Sequence, residues 1–378
     1  MKSSLFLGRR FYRQWIPGEA IRTVPFRSVI VIGPTQSGKT SQIVIPSILT
    51  WDGPVVVTSV KNDVVGVTQP WRERSGPVLI IDPSSPNGVT WNPLEDVTSF
   101  RESLHVMREL FTPLPNANPE SLFWNSHAAK LTAGLATIAR RRGDSIFDVV
   151  YWLESHLRGV PPTDDDTAIR VLDGFMAMEP KTLDGIIATA LAVLEPWTLP
   201  QPLGDVRSVL RANGTVYLCA PRLDHRRYES LFRSAIRSIV DEQELLARDG
   251  KSAPLLLVLD EAASIAPLHD LDQMAATLSG SHVTLMSVFQ DAAQIQHRWA
   301  SAARTLVNNH SYRVVFHGTV DATMCELLPE LVPDAAAIAT LRRERPGSAR
   351  LLALNLAPMT IRARPWYRTG LRRRVPAA

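Results

Sequence analysis

Ser28-Val29-Ile30-Val31-Ile32-Gly33-Pro34-Thr35-Gln36-Ser37-Gly38-Lys39-Thr40 is the stretch on which the fold turns. Its first five residues are an apolar run of strand length, and its last eight match G-x-x-x-x-G-K-[ST] in full. The glycines let the backbone bend so that successive N–H groups face one concavity, where phosphates bind. A helix expected from Gly38 to about Leu49 adds its positive end to the same point. Lys39 then places an ammonium on the β/γ-phosphates of a nucleoside triphosphate, and Thr40 offers a hydroxyl to Mg²⁺. Gly33, Pro34, Thr35, Gln36, Ser37, Gly38, Lys39 and Thr40 are therefore the expected binding residues for ATP and Mg²⁺.

Further apolar runs bounded by Gly, Pro or Asp follow on both sides of a different kind of sequence. Val55 to Thr58 and Val78 to Ile81 continue the first strand, and with the helix between them they make a strand–helix–strand series. From about Phe100 to Pro202 strand-like runs vanish. Ser121 to Arg141, Ile146 to His156 and Leu183 to Leu194 carry apolar residues at helical spacing, with Pro113, Pro115, Gly143, Pro161, Pro162 and Pro196 as breakers. Strands resume at Thr215 to Cys219, followed by an amphipathic helix, about Tyr228 to Arg248. Leu255 to Leu259, Val283 to Phe289 and Tyr312 to Phe316 complete the set, and Ala349 to Ala363 reads as a hairpin turning near Ala357-Pro358. The expected class is α/β with a mainly parallel sheet and an all-α insert. No repeat or low-complexity segment is evident.

Two of these strands end in polar residues with chemical meaning. Leu255 to Leu259 delivers Asp260-Glu261 at its carboxyl end, where ligands sit in open α/β sheets. Asp260 can hold Mg²⁺, directly or through water, and Glu261 can polarise the attacking water. Read alone, the run is equally a strand that ends in solvated acids; beside a phosphate loop the catalytic reading is favoured. Gln290 ends Val283 to Phe289, and its amide can contact the γ-phosphate or the lytic water, or simply cap the strand. Ser59 to Asp63, and Asp82-Pro83 with Trp91-Asn92-Pro93-Leu94, are weaker candidates that turn chemistry alone can explain. The nine histidines show no metal-ligand spacing.

Composition bounds the rest. At 378 residues, 45% hydrophobic and 21% charged, the chain can bury a sizeable core, and long disorder is excluded. Cys219 and Cys325 cannot make a disulfide framework, and buried reduced thiols in a reducing compartment are expected. The net charge is only +4, yet Arg9, Arg10, Arg13, Arg362, Arg364, Arg368, Arg372, Arg373 and Arg374 make both ends basic; solvated termini account for them most simply. The longest apolar stretch, Pro254 to Leu268, is interrupted by Asp260 and Glu261, so no transmembrane helix is expected. Leu5-Phe6-Leu7 is too short for a signal peptide.

In order and spacing, Gly33 to Thr40, Ser59 to Asp63, Asp82-Pro83 with Asn92-Pro93-Leu94, Asp260-Glu261 and Gln290 resemble the type IV coupling proteins of the TraG/TraD class. The segment Phe289 to His310, with Trp299 and Val307-Asn308-Asn309, is similar to the family's glutamine-motif region and most resembles actinobacterial members. The resemblance spans about Val31 to Gly318. It implies a RecA-like P-loop NTPase domain interrupted by an all-α domain: residues 1–99 and 205–378 for the nucleotide domain, 100–204 for the insert. From Asp260 onward it resembles the part named for TraM recognition. It further implies a homo-hexamer with ATP at subunit interfaces and DNA in a central channel. Relaxosome and secretion-channel proteins are the implied partners. The implied location is cytoplasmic, or peripheral at the inner face of the bacterial cell membrane.

The sequence departs from that pattern twice. No N-terminal transmembrane helices are seen. Leu278 to His282, where many relatives carry an arginine finger, has no arginine, leaving Arg298 or Arg304 as substitutes. The expected function is ATP-driven DNA translocation. A regulatory or assembly nucleotide-binding module, and a motor for protein substrates, stay open at this point.

Overall fold

A strand covered by helices on both faces is apolar throughout, and this is why the continuous aliphatic runs become the centre of one sheet. The computed structural model describes residues 3–12, 16–59, 62–95, 97–112, 119–221, 224–318, 322–334, 336–339, 347–353 and 356–375. The chain divides into two compact units. The first is Met1–Ile80, Arg207–Arg222 and Glu242–Ala378; the second is Ile81–Val206 and Leu223–Asp241.

The strands in chain order are β1 (Phe6–Tyr12), β2 (Ile16–Arg22), β3 (Val29–Ile32), β4 (Val55–Ser59), β5 (Val78–Ile81), β6 (Thr90–Trp91), β7 (Leu203–Gly204), β8 (Thr215–Cys219), β9 (Leu255–Leu259), β10 (Val283–Phe289), β11 (Tyr312–Phe316), β12 (Ser348–Ala353) and β13 (Met359–Arg362). Eleven of them form one sheet in the order β2-β1-β13-β12-β11-β3-β10-β9-β4-β8-β5. From β11 to β8 neighbours run parallel, with Val31 level with Val288 and Val314, and Val57 level with Val258. Every side chain of β3, β4, β8, β9 and β10 is buried, as their largely apolar sequence, with only Ser and Thr between, requires. On one face the helices α1 (Ile45–Thr50) and α2 (Asn62–Arg72) pack Ile48, Val64 and Val65 against Val29, Val31, Val55 and Val57.

Beyond β11 the sheet turns antiparallel. β12 and β13 form the tail hairpin, with Ala349 opposite Ile361. β1 then pairs with β13, and β2 with β1. The N-terminal hairpin was not expected from the sequence: Gly8, Arg9 and Arg10 interrupt the apolar alternation, and the register shifts twice along it. Leu5 and Leu7 nonetheless join the same core cluster as Leu351 and Ile361.

The second unit is mainly helical: α3 (Phe100–Phe111), α4 (Pro119–Arg142), α5 (Ile146–Glu154), α6 (Asp166–Met176) and α7 (Pro180–Val193), with the short parallel pair β6–β7. The three helices expected here correspond to α4, α5 and α7; α3 and α6 are additions. Both additions carry strong start signals. Ser99 and Glu102 form a reciprocal capping box ahead of α3, and the Asp165 side chain accepts from the Thr167 and Ala168 amides at the start of α6. Pro113 and Pro115 lie outside the described residues, as does Arg13. Cys219 is buried, whereas Cys325 is partly exposed, unlike the buried thiol expected there. Among the described residues no helix is long and apolar enough to cross a membrane.

Two buried polar side chains fasten the first unit. Arg72 is fully buried and donates to the carbonyls of Trp51 and Gly53 and to the Thr215 hydroxyl, each at 2.7 Å. A buried guanidinium is tolerable only when its donors are satisfied, and these three bonds fix the turn into β4. His310 is also fully buried; its Nδ1 donates to the Leu306 carbonyl at 2.8 Å, and its Nε2 accepts from the Ser287 hydroxyl at 3.0 Å. Both bonds suit the neutral ring, and burial lowers its pKa to about 4. As pH falls below 6.5 the unfolded histidine takes a proton while the folded one does not, so stability drops until about pH 4. The full loss is about 3 kcal/mol, taking about 1.4 kcal/mol per pKa unit. Urea unfolding from pH 7 to pH 4 should show this slope in the native chain and a shallower one in His310→Gln. Equal slopes would remove His310 as the source.

Candidate functional site

Three neighbouring parallel strands bring the candidate residues to one sheet edge. β3 runs into Gly33, β10 beside it into Gln290, and β9 beyond into Asp260-Glu261. The loop after β3 begins tied to its neighbour, since the Gly33 amide donates to the Phe289 carbonyl at 3.2 Å. A Cβ at position 33 would stand 2.6 Å from the Phe316 Cβ, so β11 leaves room only for glycine. Gln36 has φ +63° and Gly38 φ +101°. These left-handed residues, alternating with ordinary ones, aim successive amides at one concavity. Ser37 and Gly38 close the loop through Ser37 N to Pro34 O at 3.2 Å and Gln42 N to Gly38 O at 2.8 Å. One wide turn, Thr40–Val44, then leads into α1.

Lys39 is 8% exposed, and its Nζ donates to the Gly33 carbonyl and, at 2.8 Å, to that of Pro34. Burial lowers the pKa of this amine, while Asp260, Glu261 and Asp291 act in the opposite sense. Three carboxylates thus favour the charged form of this one amine. Asp260 is buried, and its carbonyl accepts from the Thr58 hydroxyl at 2.9 Å, tying β9 to β4. Glu261 takes the left-handed conformation, φ +54°, which turns the chain sharply out of β9. Its carboxylate accepts from the Gln290 amide at 3.1 Å. Asp291 caps the helix Ala292–Trp299 by accepting from the Gln294 amide at 2.7 Å.

The structure therefore brings together Gly33 to Thr40, Asp260, Glu261 and Gln290. Asp291 is a third carboxylate that sequence reasoning passed over, although its place directly after Gln290 was a usable signal. Of the weaker candidates, Ser59 ends β4, the strand beside β9, while Asp82 and Asn92 belong to the second unit. Asp82 accepts from the Ser84 amide at 3.2 Å, and Asn92 from the Leu94 amide at 3.1 Å; both are local turn bonds in the second unit. Val60 and Lys61 lie outside the described residues; Ser59 is buried at the end of β4. Arg298 is half-buried and Arg304 exposed on the two helices that follow Gln290, Ala292–Trp299 and Ala303–Asn309.

Several features fit a triphosphate with Mg²⁺. The Ser37 hydroxyl is buried with no hydrogen-bond partner, beside a backbone concavity that collects amides. Thr40 and Asp260 offer one hydroxyl and one carboxylate. Mg²⁺ commonly takes few protein oxygens and completes its shell with phosphate and water. Among the described residues no group of three or more His, Cys, Asp or Glu is placed to hold a metal without such help.

Residues 4–151 match the family described as type IV secretory system conjugative DNA transfer, and residues 254–350 match the TraM recognition site of TraD and TraG. The chain is 25% identical over 314 residues to the conjugal transfer protein TraG of Escherichia coli, covering 71% of this chain and 49% of that protein. It is 23% identical over 320 residues to the protein VirD4 of Rhizobium rhizogenes, covering 77% and 47%. It thus spans about half the length of these two relatives. The plasmid coupling protein TrwB, solved with ADP and Mg²⁺, superposes with a TM-score of 0.68 at 15% identity, covering 90% of this chain and 85% of that one. This chain shares the fold of that protein, a mainly parallel α/β sheet with an antiparallel extension.

Proposed function

Because this chain is a relative of the type IV coupling proteins of the TraG/TraD class, we propose that it is an ATP-hydrolysing DNA translocase that links a DNA substrate to the channel of a conjugative or type IV secretion system. The observation that carries the reading is the convergence of β3, β10 and β9: phosphate loop, glutamine and acidic pair stand side by side on one edge. In this reading the amides of Pro34 to Thr40 cradle the phosphates, and Lys39 leaves its two carbonyls for the β/γ-phosphates. Mg²⁺, held by Thr40 and Asp260, supplies charge neutralisation there when bound. Glu261 orients and deprotonates the attacking water, and Gln290, which holds Glu261, senses the γ-phosphate. The nucleotide domain comprises residues 1–99 and 205–378, with the insert 100–204 between its parts. DNA, relaxosome or channel proteins and further copies of the chain in a hexameric ring are the partners. The chain works in the cytoplasm or at the inner face of the cell membrane.

A P-loop site needs a positive charge on the transition state from its own chain or a neighbour. No arginine stands in Leu278 to His282, so a second subunit completes the site, with exposed Arg304 or half-buried Arg298 as the donor. Specific ATPase activity should then rise with protein concentration, and single- or double-stranded DNA should stimulate it at low salt. Both effects are read in one dilution series with and without DNA. Activity strictly proportional to protein and indifferent to DNA would favour a regulatory nucleotide-binding module instead.

A further inference from the structure

Where β10 stops, the glutamine it delivers is held by something other than the sheet. Phe289 is the last residue of β10 level with β3, opposite Ile32, so Gln290 stands one residue past the ladder. The peptide joining Phe289 to Gln290 is gripped at both ends. Its carbonyl, that of Phe289, accepts from the Gly33 amide at 3.2 Å. Its N–H, that of Gln290, donates to the side-chain oxygen Oε1 of Gln294, also at 3.2 Å. The Gln290 side chain then donates to Glu261 at 3.1 Å. The main chain beside Glu261 is fixed in turn, since the Ala262 amide donates to the Val288 carbonyl at 3.1 Å. One series of bonds thus runs from Gln294, through the main chain and side chain of Gln290, to the carboxylate assigned as the base.

Helix capping alone accounts poorly for the bond that Gln294 makes. In a capping box the third helical residue returns its side chain to the amide of the cap residue. The cap here is Asp291, whose carboxylate accepts from the Gln294 amide at 2.7 Å. The Gln294 oxygen lies instead on the amide one residue earlier, that of Gln290. The helix that presents it, Ala292–Trp299, is anchored at its other end. Trp299 is buried, its Nε1 donates to the Leu268 carbonyl at 2.8 Å, and its ring stands edge-on to Phe289 with centroids 5.6 Å apart. Gln294 therefore sits on a fixed support, as a group that holds another in place requires. We propose that Gln294 is a positioning residue for ATP hydrolysis: it sets the Gln290 peptide, and through it the orientation of Glu261 toward the attacking water. The inference rests on the ATP-hydrolysing reading and adds to it a residue that acts through Gln290.

The test is steady-state ATP turnover by the full chain, beside equilibrium binding of a fluorescent ATP analogue and a thermal melt. Gln294→Leu removes the acceptor at similar size, while the Asp291 cap survives because it takes the main-chain amide. kcat should fall about fivefold to tenfold, the rate equivalent of one lost hydrogen bond, with nucleotide affinity and melting temperature near native. Gln294→Glu keeps the acceptor oxygen and should retain most of the native rate. Gln294→Ala gives the same comparison if the leucine variant does not fold, alanine being the best helix former. In a Gln290→Ala background, losing the Gln294 acceptor should slow turnover no further, since no side chain is left to orient; a merely structural role would slow both backgrounds equally. Equal losses in the two backgrounds, a native kcat in the folded leucine or alanine variant, or a glutamate variant as slow as either would overturn the role of Gln294 and leave the hydrolase reading standing. No ATP turnover by the native chain would overturn both.

Discussion

Lys39→Ala is expected to abolish ATP binding and hydrolysis while the chain stays folded. The native ammonium is nearly enclosed and rests on the carbonyls of Gly33 and Pro34, in the field of Asp260, Glu261 and Asp291. Removing it leaves the field of those carboxylates uncompensated where a highly charged anion must bind. Attraction becomes repulsion, and no neutral side chain replaces a point charge at that place. The fold should survive, because β3 is fixed by its pairing with β10 and β11 and the loop by its own backbone bonds. Titration with a fluorescent ATP analogue, together with a thermal melt, checks both halves. Turnover at the native rate in a folded variant would remove the phosphate-loop assignment.

Glu261→Gln should separate binding from chemistry. The substitution keeps size and hydrogen-bonding reach, so Gln290 retains a partner at the end of β9. It removes the base, and general-base catalysis contributes roughly 10²–10⁴-fold. Nucleotide affinity should therefore stay near native while hydrolysis falls by about 10²-fold or more. The left-handed backbone at position 261, φ +54°, is as strained for Gln as for Glu, so the variant introduces no new conformational cost. A collapse of affinity with Mg²⁺ present would show that Glu261 holds the metal and that the base is elsewhere. Single-turnover kinetics beside equilibrium binding distinguishes the two outcomes.

The legible parts of this fold were those in which one residue type repeats for one physical reason. β8, β9, β10 and β11 match the expected runs residue for residue, because strands buried in the middle of a sheet need largely apolar sequence. The phosphate loop was legible because its glycines answer to backbone geometry that other residues resist. The N-terminal hairpin was not legible. Its pairing partner β13 lies at the far end of the chain, and arginines on its exposed face hide the alternation. Ser99 and Asp165 carry capping signals and α3 and α6 are strongly amphipathic, so both helices were legible in principle. At the site, the residues could be named from sequence, but not the bond from Gln290 to Glu261 or the nearness of Asp291 to Lys39. Those depend on which strands become neighbours.

The pairing of β1 with β13 and of β3 with β10 and β11 also sets the order in which the molecule can form. The nucleotide strand emerges early during synthesis, yet both of its lateral neighbours are translated after most of the chain. Until then β3 is an aliphatic ribbon with two open edges, the kind of segment that recruits other chains. Long-range closures of this type slow folding, because loop entropy must be spent before the contacts form. A nascent chain halted before residue 283 would therefore carry a complete phosphate-loop sequence without the strands that flank β3. Premature termination should yield aggregation rather than a partly active enzyme.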